Sequence, residues 1–166
     1  MPDPRARTFP ISAGIFLGLG LGGFFDGIVF HQLLQWHHML SSWYPITNIE
    51  NLKLNTVGDG LFHATTYIFV LIGLWLLWRH AETGRLYWSA KLLVGSMLVG
   101  HGIFNVVEGL LDHQTLGAHH VYETGGGQYW VLMDVAFLLW GVILIVIGAM
   151  MLRGIQELYA AQPTAR

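Results

Sequence analysis

The chain has 166 residues, and its 8 Lys and Arg against 10 Asp and Glu give a formal net charge of −2 with His neutral. Charged residues make up only 11% and hydrophobic ones 54%, where a soluble domain carries about 25% charge, so a soluble globular surface is excluded and an integral membrane protein remains. There is no cysteine for a disulfide scaffold, and no basic footprint for nucleic acid.

A helix needs about 20 mostly apolar residues to cross a bilayer. The first predicted span covers about 11–35, and it is glycine-rich and runs into Asp26 and His31. Its basic start invites a signal-peptide reading. The missing small-x-small cleavage site favours a retained helix. Gly14, Gly18 and Gly22 form a small-xxx-small ridge for the bundle interior or a homodimer, with interior packing preferred. The loop 36–57 follows, opening on His37-His38. The second span, about 58–78, begins with Asp59 and His63 and carries no charge from Leu61 to Trp78.

A loop with Arg79, His80, Arg85 and Lys91 leads to the third span, about 92–112, which holds His101, Asn105, Glu108 and Asp112. Next comes the loop 113–128, with His113, Gln114 and His119-His120. The fourth span, about 129–152, carries Asp134 as its only charge. Trp36, Trp43, Tyr44, Tyr87, Trp88, Tyr129 and Trp130 fall near span ends, as an interfacial aromatic belt requires. The runs are continuous rather than alternating, which selects helices over a β-barrel. The expected fold is an all-α, four-helix membrane bundle of one domain over 1–166, with no room for a second.

Arg5, Arg7, Arg79, Arg85, Lys91, Arg153 and Arg166 lie on one side of these spans and only Lys53 on the other. The positive-inside rule then places both termini in the cytoplasm and the two His-rich loops outside.

Comparing the chain with itself at an offset of 82 lays Phe25–Gln32 over Val107–Gln114, and His37-His38 over His119-His120. The shared pattern is acid-G-x-x-x-H-Q-x-x-x-x-H-H. It predicts two repeated hairpins, about 11–80 and 92–153, related by an axis along the membrane normal. The match fades in the second and fourth spans.

Ionisable groups within a span are expensive and need a reason, and here they all lie in the outer half. His101, Asn105, Glu108 and Asp112 share one helical stripe. Asp26 and His31 are five positions apart, off one face of an ideal α-helix. Either the helix opens at Gly27 and Gly109 through a π-bulge, or the His approaches from a frayed end.

These donors suit a transition metal, namely Zn, Fe or Cu(II), with Mn less suited. Duplication suggests two ions. Asp26, His31, His63, Glu108 and His113 are the expected ligands, with Asp134, His37, His38, His119 and His120 as further ones. Asp59, His101, Asn105, Asp112, Gln32 and Gln114 are expected behind them, orienting ligands or handling protons. The bland alternative is that all these groups hydrogen-bond across helices and cap their ends. Haem is the rival cofactor, with His63 and His101 as axial ligands, although it requires no surrounding carboxylates.

The motifs Gly22–His38, Asp59–Ala64 and Phe104–Val121 resemble those of a bacterial family of predicted membrane proteins, catalogued as domain of unknown function 2243. The resemblance covers nearly the whole chain. It implies a four-helix inner-membrane protein and supplies no activity. An association of relatives with cytochrome oxidase assembly, also implied by the resemblance, would tilt the metal towards copper. The expected function is a His/carboxylate metalloprotein, with a redox or oxygen-using enzyme favoured over a hydrolase. The alternatives are a copper- or zinc-handling protein that serves a respiratory partner, and a haem-b electron carrier.

Overall fold

The computed structural model describes residues 7–160, with side chains through Arg153. Arg5 and Arg166, counted above among the inner-side cations, lie outside the described residues. Among the described residues there are four long helices and no strand, only a single bridge between Thr8 and Leu86. They are α1 (Ile11–Asp26), α2 (Ile49–Glu82), α3 (Ala90–Glu108) and α4 (Trp130–Ala160). Together with the turns that continue them, they give four helical stretches long and apolar enough to span a membrane, Ile11–Leu33, Ile49–Glu82, Ala90–Thr115 and Gly127–Arg153.

The surface is inverted relative to a soluble bundle. Leu61, Ile68, Leu74, Val131, Leu139 and Val146 are exposed, whereas Asp26, His31, Asn55, Thr66, Ser96 and Asp134 are buried. Lipid tails are as apolar as Leu, so helix association here relies on close packing and interhelical polar contacts.

α1 and α3 form the centre, α2 packs on α1, and α4 packs on α3. The helices thus stand in a row α2-α1-α3-α4 rather than in the closed square of an ordinary four-helix bundle. Glycine explains the centre. A Cβ on Gly18 would lie 2.1 Å from the Met97 carbonyl oxygen, and one on Gly100 2.1 Å from that of Ile15. The predicted glycine ridge therefore faces the interior: Gly14 meets Ser96, Gly18 meets Met97 and Gly22 meets His101.

Two boundaries differ from the sequence reading. α2 starts at Ile49, well before residue 58, because the Asn48 side chain accepts a hydrogen bond from Asn51 N at 2.8 Å and caps the helix. Asn55 then anchors the preceding loop, accepting from Leu40 N and donating to the Tyr44 carbonyl. These turns are too polar to register in a hydropathy reading. α3 likewise starts at Ala90, where Ser89 caps it through Leu92 N.

The outer ends of α1 and α3 change character at the same motif position. Both continue as π-helix, Gly27–Leu33 after α1 and Gly109–Thr115 after α3. The π turns close with bonds from Leu34 N to Val29 O and from Leu116 N to Leu111 O, each 2.8 Å. Left-handed residues then reverse the chain, Gln35 at φ 49° and Gly117 at φ 57°. Of the two openings foreseen for the acid-G-x-x-x-H motif, the π-helix is the one present.

Candidate metal centre

A π-helix stacks residue i+5 over residue i, which turns the awkward Asp26/His31 spacing into a shared face. His31 Nε2 comes within 3.0 Å of Asp26 Oδ2. Past the turn, the chain folds His37 back over the helix end, its Nε2 3.9 Å from the same oxygen. The second motif does likewise, with His119 Nε2 3.9 Å from Glu108 Oε1 and His113 beside them.

Asp26, His31, His37, Glu108, His113 and His119 converge between the outer ends of α1 and α3. All six are buried. They form three overlapping trios, His31/His37/His119, Glu108/His113/His119 and Asp26/His31/Glu108, whose donor atoms lie within 4.8 Å of one another and could hold a metal ion. The His37 and His119 rings stack in parallel, with centroids 4.6 Å apart.

The outer side of three of the four rings is tied down. His37 Nδ1 donates to the Val121 carbonyl at 2.9 Å and His119 Nδ1 to the Met39 carbonyl at 3.1 Å, so each loop holds the other's histidine. A carbonyl only accepts, so both rings carry a proton on Nδ1, and their neutral form turns an Nε2 lone pair inward. His31 Nδ1 donates to Asp59 Oδ1 at 2.8 Å. His113 Nδ1 stands 3.7 Å from Asp134 Oδ1 and makes no hydrogen bond, so this ring lacks the support that the other three have.

The inner side is not tied down. Asp26 Oδ2, both Glu108 oxygens, and Nε2 of His31, His37, His113 and His119 are buried without a hydrogen-bond partner. Leaving one such atom orphaned costs roughly 1–3 kcal/mol, and native interiors leave few. The 3.0 Å approach of His31 Nε2 to Asp26 Oδ2 is likewise not aligned as a hydrogen bond. Two ligands each about 2.1 Å from one ion would stand roughly 3.0–3.4 Å apart, so the spacing suits a coordination edge.

The remaining predicted site residues lie around this cluster. Asp59 and Asp134 stand behind it. Asp59 accepts from His31, from His38 Nδ1 at 2.6 Å and from Met39 N at 2.9 Å. Asp134 accepts from His120 Nδ1 at 2.7 Å, from Val121 N at 3.0 Å and from Gln114 Nε2 at 3.4 Å. His38 and His120 are thus partners of these carboxylates at the edge of the cluster and stand outside the three trios. His63 also stands outside them: its Nδ1 donates to the Asp59 carbonyl at 2.7 Å and its Nε2 rests on Gly27. Asn105 is buried beside Gly141. Asp112 is half-buried, Gln32 is exposed, and His101 rests on Gly22 away from the trios.

Burial, with His37, His113 and His31 close by, holds the loop residue His119 well below its ordinary pKa. It is therefore neutral at physiological pH.

Several partners escaped the sequence reading. Phe62 stacks on His31 at 5.4 Å and Phe137 lies 5.3 Å from His113. Glu123 accepts from His120 N and from the Ser42 hydroxyl, while Ser41 Oγ accepts from His38 N. Ser41 and Glu123 obey the 82-residue offset and could have been found with it. Asp59/Asp134 and Phe62/Phe137 are instead 75 apart, because the connection between the first two spans is longer than that between the last two by 82 − 75 = 7 residues. A second comparison at the shorter offset would have paired them.

A family model described as a predicted membrane protein (DUF2243) matches residues 13–155. No curated protein and no solved structure matches the chain.

Proposed function

The chain belongs to the DUF2243 family of predicted membrane proteins, and we propose that it is a membrane metalloprotein holding two transition-metal ions in a pseudo-symmetric site between two repeated hairpins. The observation that carries this reading is the set of inward, buried and unpartnered donors on Asp26, His31, His37, Glu108, His113 and His119. Each half supplies two imidazoles and one carboxylate. The Nδ1 contacts to Asp59, Val121 and Met39 are the outer support that ligating histidines require. Nitrogen-rich, thiolate-free ligation favours Fe, Cu or Zn.

The burial of all six residues supports a resident cofactor over a cargo in transit, and so a redox enzyme over a metal-handling protein. Unsatisfied positions on each ion would take a molecule as small as dioxygen. A haem is less well supported, because the His63 ring rests on Gly27 and the His101 ring on Gly22, five positions apart along the first span and off a single helical face. The charge asymmetry supports a site facing the periplasmic side of a bacterial inner membrane.

Elemental analysis of the detergent-purified protein tests the reading. The expected result is close to two equivalents of one transition metal, falling below half an equivalent in the double variant His31→Ala/His113→Ala. Less than one equivalent in the unmodified protein, after growth with each metal supplied, overturns it.

A further inference from the structure

His101 is a span imidazole that stands outside the three donor trios and hydrogen-bonds to none of their members. It lies in α3, nearly two turns inward of Glu108, and is half-buried. Its ring packs against Phe25 at 6.1 Å and over Gly22, and it makes no hydrogen bond to any described residue. An ionisable group at membrane depth without a partner calls for an explanation.

The ring opens on a groove of about 160 Å³ between α1 and α3, lined by Gly18, Leu21, Val94, Met97, Leu98 and His101. Leu21 and Val94 are each 45% exposed, on a surface that faces lipid. A ligand here arrives through the hydrocarbon, so it is apolar and meets a single hydrogen-bonding group. The groove is smaller than the usual 300 Å³ or more of a whole-molecule pocket, so it fits a head group whose tail stays in the bilayer.

The groove is also linked to the metal cluster. His101, Asn105 and Glu108 follow at i, i+4 and i+7 on one face of α3, and Asn105 Oδ1 is buried without a partner between them. The first hairpin has Leu19 and Gly23 at the equivalent positions. The two halves match at the metal ligands and diverge here, so the polar stripe is not a by-product of the duplication.

We infer that this groove binds the head group of a membrane-dissolved quinone, with His101 donating a hydrogen bond to one of its carbonyl oxygens. A quinone ring is planar and can lie between Leu21 and Met97 of the groove wall, and its carbonyl is the acceptor that the imidazole lacks. The choice of a quinone among lipid-soluble ligands rests on the redox reading of the neighbouring metal centre.

Decylubiquinone titrated into the full-length protein in nanodiscs, with binding read by calorimetry, tests the inference. The expected result is saturable one-to-one binding, weakened at least ten-fold by His101→Leu and less than three-fold by His101→Gln. A photoreactive azidoquinone should label the segment 94–101. Metal content measured on each variant shows whether the fold survives, and the titration is repeated on metal-stripped protein. No saturable binding, equal affinity in His101→Leu with metal retained, labelling elsewhere, or a dimer whose second copy covers the groove overturns it. Quinone binding by a protein that never contains metal leaves the site standing and fails the metal reading. Two bound ions with no quinone binding do the reverse.

Discussion

Asp59 Oδ1 accepts a hydrogen bond from His31 Nδ1 at 2.8 Å, and the opposite nitrogen of that ring then faces Asp26 across 3.0 Å. One carboxylate on α2 thus aims a histidine carried by the π-helix that follows α1. Asp59→Asn keeps the shape and removes the charge, and its amide sets a donor against one of the two Nδ1–H groups it serves. Metal affinity should fall about 10- to 100-fold, as for other supports behind ligating histidines. Competition with a chelator of known affinity reads this directly. Asp134→Asn should cost less, because His113 Nδ1 stands off at 3.7 Å; equal losses would contradict the assignment.

Removing the metal should destabilise the fold. The inward donors of six buried residues then keep no partner, and a ligand that binds only the folded state stabilises it by RT ln(1 + [L]/Kd). At 100 times Kd this amounts to about 2.7 kcal/mol. Chelation should lower the unfolding midpoint, and adding back the metal should restore it. A midpoint indifferent to chelation would show that the cluster is structural without an ion.

The pH dependence of the metal-stripped protein follows from His119. Its folded pKa lies well below the ordinary 6.5, so below that pH the unfolded chain binds a proton that the folded chain refuses. Stability is therefore retained above about pH 7 and lost as pH falls below about 6.5. The slope for one such proton approaches about 1.4 kcal/mol per pH unit. Thermal melts from pH 8 to pH 5 should show the decline, and His119→Gln should flatten it. An unchanged slope in that variant would assign the acid sensitivity elsewhere.

Two glycine replacements should act in opposite directions. Gly18→Ala drives a methyl to 2.1 Å from the Met97 carbonyl oxygen, a backbone atom of a neighbouring helix that cannot turn aside. The cost is about 1–3 kcal/mol or more, seen as a lowered unfolding midpoint. Gly60→Ala, inside α2 with nothing within 4 Å of the added carbon, should stabilise by about 0.5–1 kcal/mol through helix propensity. If both variants melt alike, close α1–α3 contact is not what holds the centre.

The sequence by itself determined the membrane class, the four spans, the duplicated motif and the kinds of donor present. Each depends on composition or on spacing along the chain, and both survive without coordinates. It also narrowed the Asp26/His31 problem to a π-bulge or a frayed end, because α-helical geometry rules out a single face at that spacing. The tertiary structure decided which histidines converge. His37 enters the cluster and its neighbour His38 does not, since the reversal at Gln35 turns adjacent side chains to opposite sides. His63 shares a helix turn with Asp59 yet rests on Gly27, while Asp59 meets His31 and His38. The loops cross, each carbonyl fixing the other loop's imidazole, and no pattern within either loop encodes that. Spacing along a chain constrains angles within one helix, whereas a metal centre assembled from two hairpins depends on where separate elements meet.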